Sequence, residues 1–263
     1  MHKNNPIGIF DSGVGGTSIW KEIITLLPEE STIYLSDAKN APYGEKSPEE
    51  IQKLSIKNTE KLIGMNCKLI IVACNTATTN AINLLRSKFE IPFIGIEPAI
   101  KPAALSSHNK AIGILATKGT LASALFAQTS SLYTNGIKVI EVKGTGLVEL
   151  IEAGKLYSME MRNLLKDYIK PMLDQNIDYL VLGCSHYPYL IPLLREILPS
   201  SVTIIDSGEA VARQTKNILE QQQLFAKAGN IATHKLFSND STLVLENLTA
   251  DFVVDKEVKY CDF

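Results

Sequence analysis

The chain has 263 residues, 45% of them apolar and 21% charged, and its 26 basic and 28 acidic side chains give a formal charge of −2. This is enough apolar chain to bury a sizeable core without staples, and the near-neutral balance lacks the electrostatic footprint of a general nucleic-acid binder. No apolar run approaches the ~20 residues that span a bilayer, and no signal-peptide pattern opens the chain. Eight short β-branched runs then follow in order: residues 7–10 (IGIF), 33–36 (IYLS), 69–73 (LIIVA), 93–96 (FIGI), 112–116 (IGILA), 138–142 (KVIEV), 179–183 (YLVLG) and 202–205 (VTII). Each is a continuous apolar stretch bounded by Gly, Asp, Asn or Thr, as buried parallel strands are. Helix-compatible segments lie between them. The clearest starts with Ser47 as N-cap, Pro48 at the first helical position and Glu50 three residues on, a capping box, with Ile51, Leu54 and Leu62 able to share one face. One helix is expected over 121–136 and another over 209–229 ending at Gly229, while 243–248 (LVLENL) is expected as an edge strand.

The alternation predicts an α/β fold with helices on both faces of mostly parallel sheets. It also repeats. Residues 7–12 (IGIFDS) recur as 112–117 (IGILAT), 71–76 (IVACNT) as 181–186 (VLGCSH), and 94–98 (IGIEP) as 204–208 (IIDSG). Two similar open domains facing each other across a cleft, related by a pseudo-twofold internal repeat, are therefore expected. Residues 1–97 plus 210–263 make the first, and residues 98–209 the second.

In open parallel sheets, ligands sit beyond the carboxyl ends of the strands. Four cysteines are present, too few and scattered for a disulfide framework and without a CxxC pair for zinc, so reduced thiols in the cytoplasm are expected. Cys74 and Cys184 each end a buried strand and precede a helix, a setting that lowers thiol pKa. From equivalent places in two facing halves they would point at one cleft. A lone Cys is often just a small buried hydrophobe, and Cys67 and Cys261 fit that description. His186, two residues after Cys184, could polarise its thiol, and Asp11 is the counterpart beside Cys74. The Gly13–Gly16 turn (GVGG) could cradle a phosphate, but it lacks a P-loop lysine and dinucleotide spacing. None of the four arginines (Arg86, Arg162, Arg195, Arg213) falls in a strand-end loop. A small acidic ligand would be held by hydroxyls, backbone N–H groups and helix dipoles.

The motifs GIFDSGVGG (8–16), Asp37 with PYG (42–44), ACNTAT (73–78), GIEPA (95–99), ELIEAG (149–154), GCSHYP (183–188) and DSGEAVA (206–212) together resemble the cofactor-independent glutamate racemases. The resemblance implies 1,1-proton transfer at the α-carbon of glutamate, giving D-glutamate for peptidoglycan, with no cofactor and no metal. Cys184 would deprotonate the L-isomer and Cys74 the D-isomer, assisted by His186 and Asp11. Ser12, Pro42, Tyr43, Gly44, Asn75, Thr76, Thr117, Thr120 and Ser185 map onto substrate-contacting positions, and Glu152 lies in a recurrent motif near the site. Ser185 stands where most members have Thr. The implied partner is the small-molecule substrate, with no nucleic acid and no membrane, and a homodimer is the assembly left open. Other readings are a sister racemase of aspartate or another small amino acid, a non-catalytic carboxylate-binding module, and a redox protein.

Overall fold

The computed structural model describes residues 2–263. The first half of the chain forms β1 (Ile7–Asp11), α1 (Thr17–Leu26), β2 (Thr32–Ser36), α2 (Pro48–Gly64), β3 (Leu69–Val72), α3 (Asn75–Lys88) and β4 (Phe93–Gly95). Then come α4 (Ile100–Ser106), β5 (Ala111–Ala116), α5 (Lys118–Leu121), α6 (Ala124–Tyr133) and β6 (Lys138–Lys143). These are followed by α7 (Leu147–Glu152), α8 (Met159–Leu173), β7 (Tyr179–Gly183), α9 (Ile191–Ile197) and β8 (Thr203–Ile205). The chain ends with α10 (Gly208–Gln221), β9 (His234–Ser238), α11 (Leu243–Thr249) and β10 (Lys256–Tyr260).

The strands make two sheets, ordered β10-β9-β2-β1-β3-β4 and β6-β5-β7-β8. Every pairing is parallel. The order β2-β1-β3-β4 thus recurs as β6-β5-β7-β8, so β1 corresponds to β5 and β3 to β7. This is the repeat read in the sequence, now as two open α/β sheets.

All eight predicted runs are strands, and their alternation sorts side chains between faces. Ile7, Ile9, Leu69 and Ile71 enter a core that continues into the other half through Leu115, Leu180 and Leu182. Phe10, Ile70 and Val72 point to the opposite face of the first sheet, and Ile112, Ile114 and Val181 to the opposite face of the second. Gly8 is needed where it stands, because a Cβ there would lie 2.9 Å from Cys67 Sγ. Burial pushes the Cys67 thiol up to about 12, the state of an inert packing group. The Ser47–Glu50 capping box forms as expected.

Three expectations are corrected. Residues 243–249 are helix rather than edge strand: Leu245 and Thr249, four apart, are the buried positions. The strands of the tail are β9, which pairs with β2, and β10, which pairs with β9. The predicted helix over 121–136 is broken at Ser123, whose hydroxyl accepts from Phe126 N at 3.2 Å to cap α6 and donates to Thr120 O at 2.8 Å. The helix expected to run to Gly229 stops at Gln221, since Gln223 takes φ 54° and Leu224 N returns to Leu219 O. Leu224 O then accepts from buried Lys68 Nζ at 2.8 Å, which also pairs with Glu30 at 2.6 Å and so anchors that turn to the start of β3. Among the described residues, no helix is long and apolar enough to cross a membrane.

Candidate active site

The carboxyl ends of β1, β3, β5 and β7 meet between the sheets. A narrow cleft of about 240 Å³ lies there, and both Cys74 and Cys184 line it, with Ser12, Asn75, Thr76 and His186. Of the other residues singled out in the sequence, Pro42, Tyr43, Gly44, Thr117 and Ser185 also line it. Thr120, Glu152 and Asp11 stand one layer behind, each bonded to a lining group. Val148 completes the wall and was not anticipated, since an apolar residue inside α7 carries no chemical signal. Glu97, also at a strand end, is exposed and does not line the cleft.

Cys74 is the N-cap of α3, and its sulfur accepts from Ala77 N at 3.4 Å while lying 3.6 Å from Ser12 Oγ. Its place at a helix N-terminus predicts a lowered pKa, and the site reverses this. Burial pushes the thiol well above its ordinary range and the Asp11 carboxylate adds to it, while the contacts with Ala77 and Ser12 oppose only partly. Cys184 differs: a short 3-10 turn, Tyr187–Leu190, follows it, not an α-helix. Its neighbour is instead His186, whose Nδ1 lies 3.7 Å from the sulfur and whose Nε2 lies 2.5 Å from Glu152 Oε1. Burial alone would keep the imidazole neutral; the hydrogen bonds and charges of Cys184 and Glu152 overcome it and raise the pKa well above the ordinary value. The ring faces the Cys184 sulfur through Nδ1, and Nε2 also lies 3.3 Å from Gly15 N.

Asp11 spans both sides. Oδ2 accepts from Gly16 N at 2.8 Å, and Oδ1 accepts from the Ser185 hydroxyl of the other half at 3.2 Å. Burial raises its pKa against the opposing charge of His186 and the Gly16 N–H. The glycine-rich turn gains a reason other than phosphate. A Cβ on Gly15 would lie 2.3 Å from His186 Nδ1, and one on Gly13 would lie 1.8 Å from Glu152 Oε1. The turn is bare so that the histidine and glutamate of the second half can press against it, and Val14 N donates to Glu152 at 2.7 Å.

Across the cleft the hydroxyls of Thr76, Thr117 and Thr120 form a ring with spacings of 2.8, 3.2 and 3.0 Å. Asn75 is buried with neither amide atom bonded within the protein. Such an orphaned amide costs about 1–3 kcal/mol, so it is poised for a polar ligand. Beneath the Pro42–Gly44 turn, Tyr43 donates its hydroxyl to Asp37, whose carboxylate also accepts from Asn40 at 2.8 Å, Asn58 at 3.4 Å and Asn239 at 2.5 Å. Asn58 and Asn239 escaped the sequence reading because they lie in a helix and in the tail, outside any strand-end motif. The four arginines bond elsewhere: Arg86 to Phe93 O, Arg162 to Glu196, Arg195 to Val202 O and Arg213 to Glu209. Among the described residues, no group of three or more His, Cys, Asp or Glu side chains is arranged to hold a metal ion.

Two thiols, one from each repeated α/β half, thus line one cleft with an imidazole, an amide and several hydroxyl groups. Residues 7–215 match the Asp/Glu/Hydantoin racemase family. The chain belongs to that family and is a racemase, an isomerase by class. Among curated relatives it is 46% identical over 236 residues to the glutamate racemase of Ectopseudomonas mendocina (strain ymp), covering 89% of this chain and 90% of that one. Among solved structures, a glutamate racemase isoform from Bacillus anthracis superposes with a TM-score of 0.86 at 32% identity, covering 98% of each chain. The glutamate racemase of Francisella tularensis, solved in complex with D-glutamate, gives a TM-score of 0.83 at 29% identity over 98% of this chain and 97% of the other.

Proposed function

We infer that the protein interconverts L- and D-glutamate without a cofactor, Cys74 and Cys184 acting as the two bases. The carrying observation is that both thiols, from equivalent strands of the two halves, line one cleft. In the L-to-D direction the Cys184 thiolate removes the α-proton, breaking C–H and forming S–H. The Cys74 thiol then gives its proton to the opposite face, re-forming C–H and leaving a Cys74 thiolate. The reverse direction exchanges the two roles. Substrate and product are mirror images, so two bases of one residue type suit an equilibrium constant of one.

The surroundings support that assignment. Burial and the Asp11 carboxylate push the Cys74 thiol up, so it is ready to donate, and the His186 ring lies 3.7 Å from the Cys184 sulfur, within reach of its proton. Asp11 assists the Cys74 side. Ser12, Asn75, Thr76, Thr117, Thr120 and Ser185 supply hydroxyl and amide contacts to the substrate, the Pro42–Tyr43–Gly44 turn shapes its wall, and Glu152 fixes His186. Burial of the reacting groups excludes water from the carbanion, and oriented dipoles stabilise it in place of a fixed guanidinium. The division of the chain into residues 1–97 plus 210–263 and residues 98–209 places one base in each part. The D-glutamate formed serves peptidoglycan synthesis in the cytoplasm.

Incubation with L-glutamate in D2O, and separately with L-aspartate, tests this directly. Loss of optical rotation with deuterium entering the α-position of glutamate, without added cofactor, is expected. Exchange into aspartate alone would overturn the substrate, and exchange into neither would overturn the activity.

A further inference from the structure

The sulfurs lie in a shut cleft. Cys74 is 4% exposed and Cys184 6%. The two halves touch closely over it: a Cβ on Gly44 would lie 3.0 Å from Thr117 Cβ, and one on Gly119 would lie 3.2 Å from Gly44 O. A substrate reaches the thiols only when these surfaces part. Directly outside is a second opening of about 250 Å³, which shares Pro42, Gly44, Thr117 and Val148 with the inner cleft. Its rim carries Glu45 from the first half, and Lys118, Lys143 and Glu149 from the second; the ion pairs across the halves are those of Glu45.

Glu45, Lys118 and Lys143 bridge the halves. Glu45 Oε1 lies 3.2 Å from Lys143 Nζ, and Oε2 lies 3.7 Å from Lys118 Nζ. All three are about half exposed, so each pair holds only weakly in water and is broken readily. Their positions follow from the site itself. Glu45 directly follows the Pro42–Gly44 turn, Lys118 follows Thr117, and Lys143 precedes Gly144 on the rim. No arginine lies in the cleft, so these two ammonium groups are the cations that line its mouth.

We propose that Glu45, Lys118 and Lys143 form a gate at the cleft mouth. While the cleft is shut, the Glu45 carboxylate occupies both lysines. When it opens, the lysines are released to the carboxylate of an incoming anionic amino acid. One carboxylate replaces another, so opening leaves no cation unpaired and draws an anion toward the thiols. The charge requirement rests on the substrate being an anionic amino acid, as inferred above.

The test alkylates the cleft thiols at low ionic strength with neutral iodoacetamide or anionic iodoacetate and reads Cys74 and Cys184 separately by peptide mass spectrometry. Half-buried Cys261 is the internal reference. Glu45→Gln should speed labelling of both cleft thiols about threefold to fivefold, as loss of a latch near 1 kcal/mol implies, with the larger gain for iodoacetate. In Lys118→Gln/Lys143→Gln the iodoacetamide rate should rise while the iodoacetate-to-iodoacetamide ratio falls, and added salt should erase the difference. Equal rates and an unchanged reagent ratio in all three proteins would overturn the gate. This readout needs no turnover. If the wild type fails to racemise glutamate, the substrate reading fails while the labelling still decides the gate. In an active enzyme, kcat/KM for glutamate should rise in Glu45→Gln and fall in the double lysine variant, each effect shrinking with salt.

Discussion

The Cys74 side of the cleft and the Cys184 side share a plan and differ in charge. Both sulfurs follow a buried central strand, β3 and β7, at matching places in two sheets of the same order. Yet the repeat position of Asp11 is Ala116, and that of His186 is Thr76. Burial and a neighbouring carboxylate push one thiol up; the other stands beside an imidazole whose own pKa is raised. The repeated strand and loop give two equivalent placements, and the residues at positions 11 and 186 give the two sulfurs unlike neighbours.

The hardest way to break this pairing is to remove either sulfur. Cys74→Ser and Cys184→Ser should each lower racemisation about 10²–10⁴-fold, followed by circular dichroism of the substrate, and near wild-type turnover in either would refute two-base transfer. His186→Asn should lower kcat/KM about tenfold to a hundredfold, since it removes the ring that faces Cys184 but leaves both sulfurs. Enantiomers have equal free energy in water, so kcat/KM must fall equally from L and from D. The asymmetry should emerge in kcat and KM taken separately, and identical changes in both directions would remove the distinction between the two sides.

A gentler change to the Cys184 side is Gly15→Ala, which pushes on the ring without altering charge. The added carbon would lie 2.3 Å from Nδ1 and 2.6 Å from the His186 backbone N, so ring and backbone must both shift, and a loss of at least about tenfold in kcat/KM is expected. Chemical denaturation across pH probes the same ring. The folded pKa of His186 is raised, so its stabilising contribution is full below the unfolded value near 6.5 and is lost as pH rises through the folded value. The stability gap between wild type and His186→Asn should be widest near pH 6 and narrow as pH rises; a gap that widens instead would mean that the ring is neutral. The smallest effect is expected from Ser185→Thr. The hydroxyl bond to Asp11, 3.2 Å long here, is kept and one methyl is added, so kcat/KM should stay within about twofold.

Much of the framework was readable because buried parallel strands leave an unbroken apolar signal and because each sulfur ends one. The capping box of α2 is equally local, and it formed as written. What escaped depends on distant partners. Residues 243–248 carry four apolar side chains, enough for a short strand, but β9 and β10 occupy the place they would take beyond β2. The protonation of Cys74 could not be inferred from its helix N-terminus, since the opposing influences are its burial and a carboxylate 63 positions away in the chain. Asn239 reaches Asp37 from the tail, and Glu45 meets its two lysines only because the halves close on each other.

The return of β9 and β10 to β2 also sets an order of assembly. All four strands of the second sheet are consecutive in the chain, so a ribosome releases that half complete. The sheet that carries Asp11 and Cys74 is made first but finished last, its β2 edge open until residues beyond 234 emerge. Asp37, and with it the turn over Cys74, gains its Asn239 partner at that late stage. The thiol of the later-made half is housed while the edge of the earlier-made sheet still waits for its last two strands.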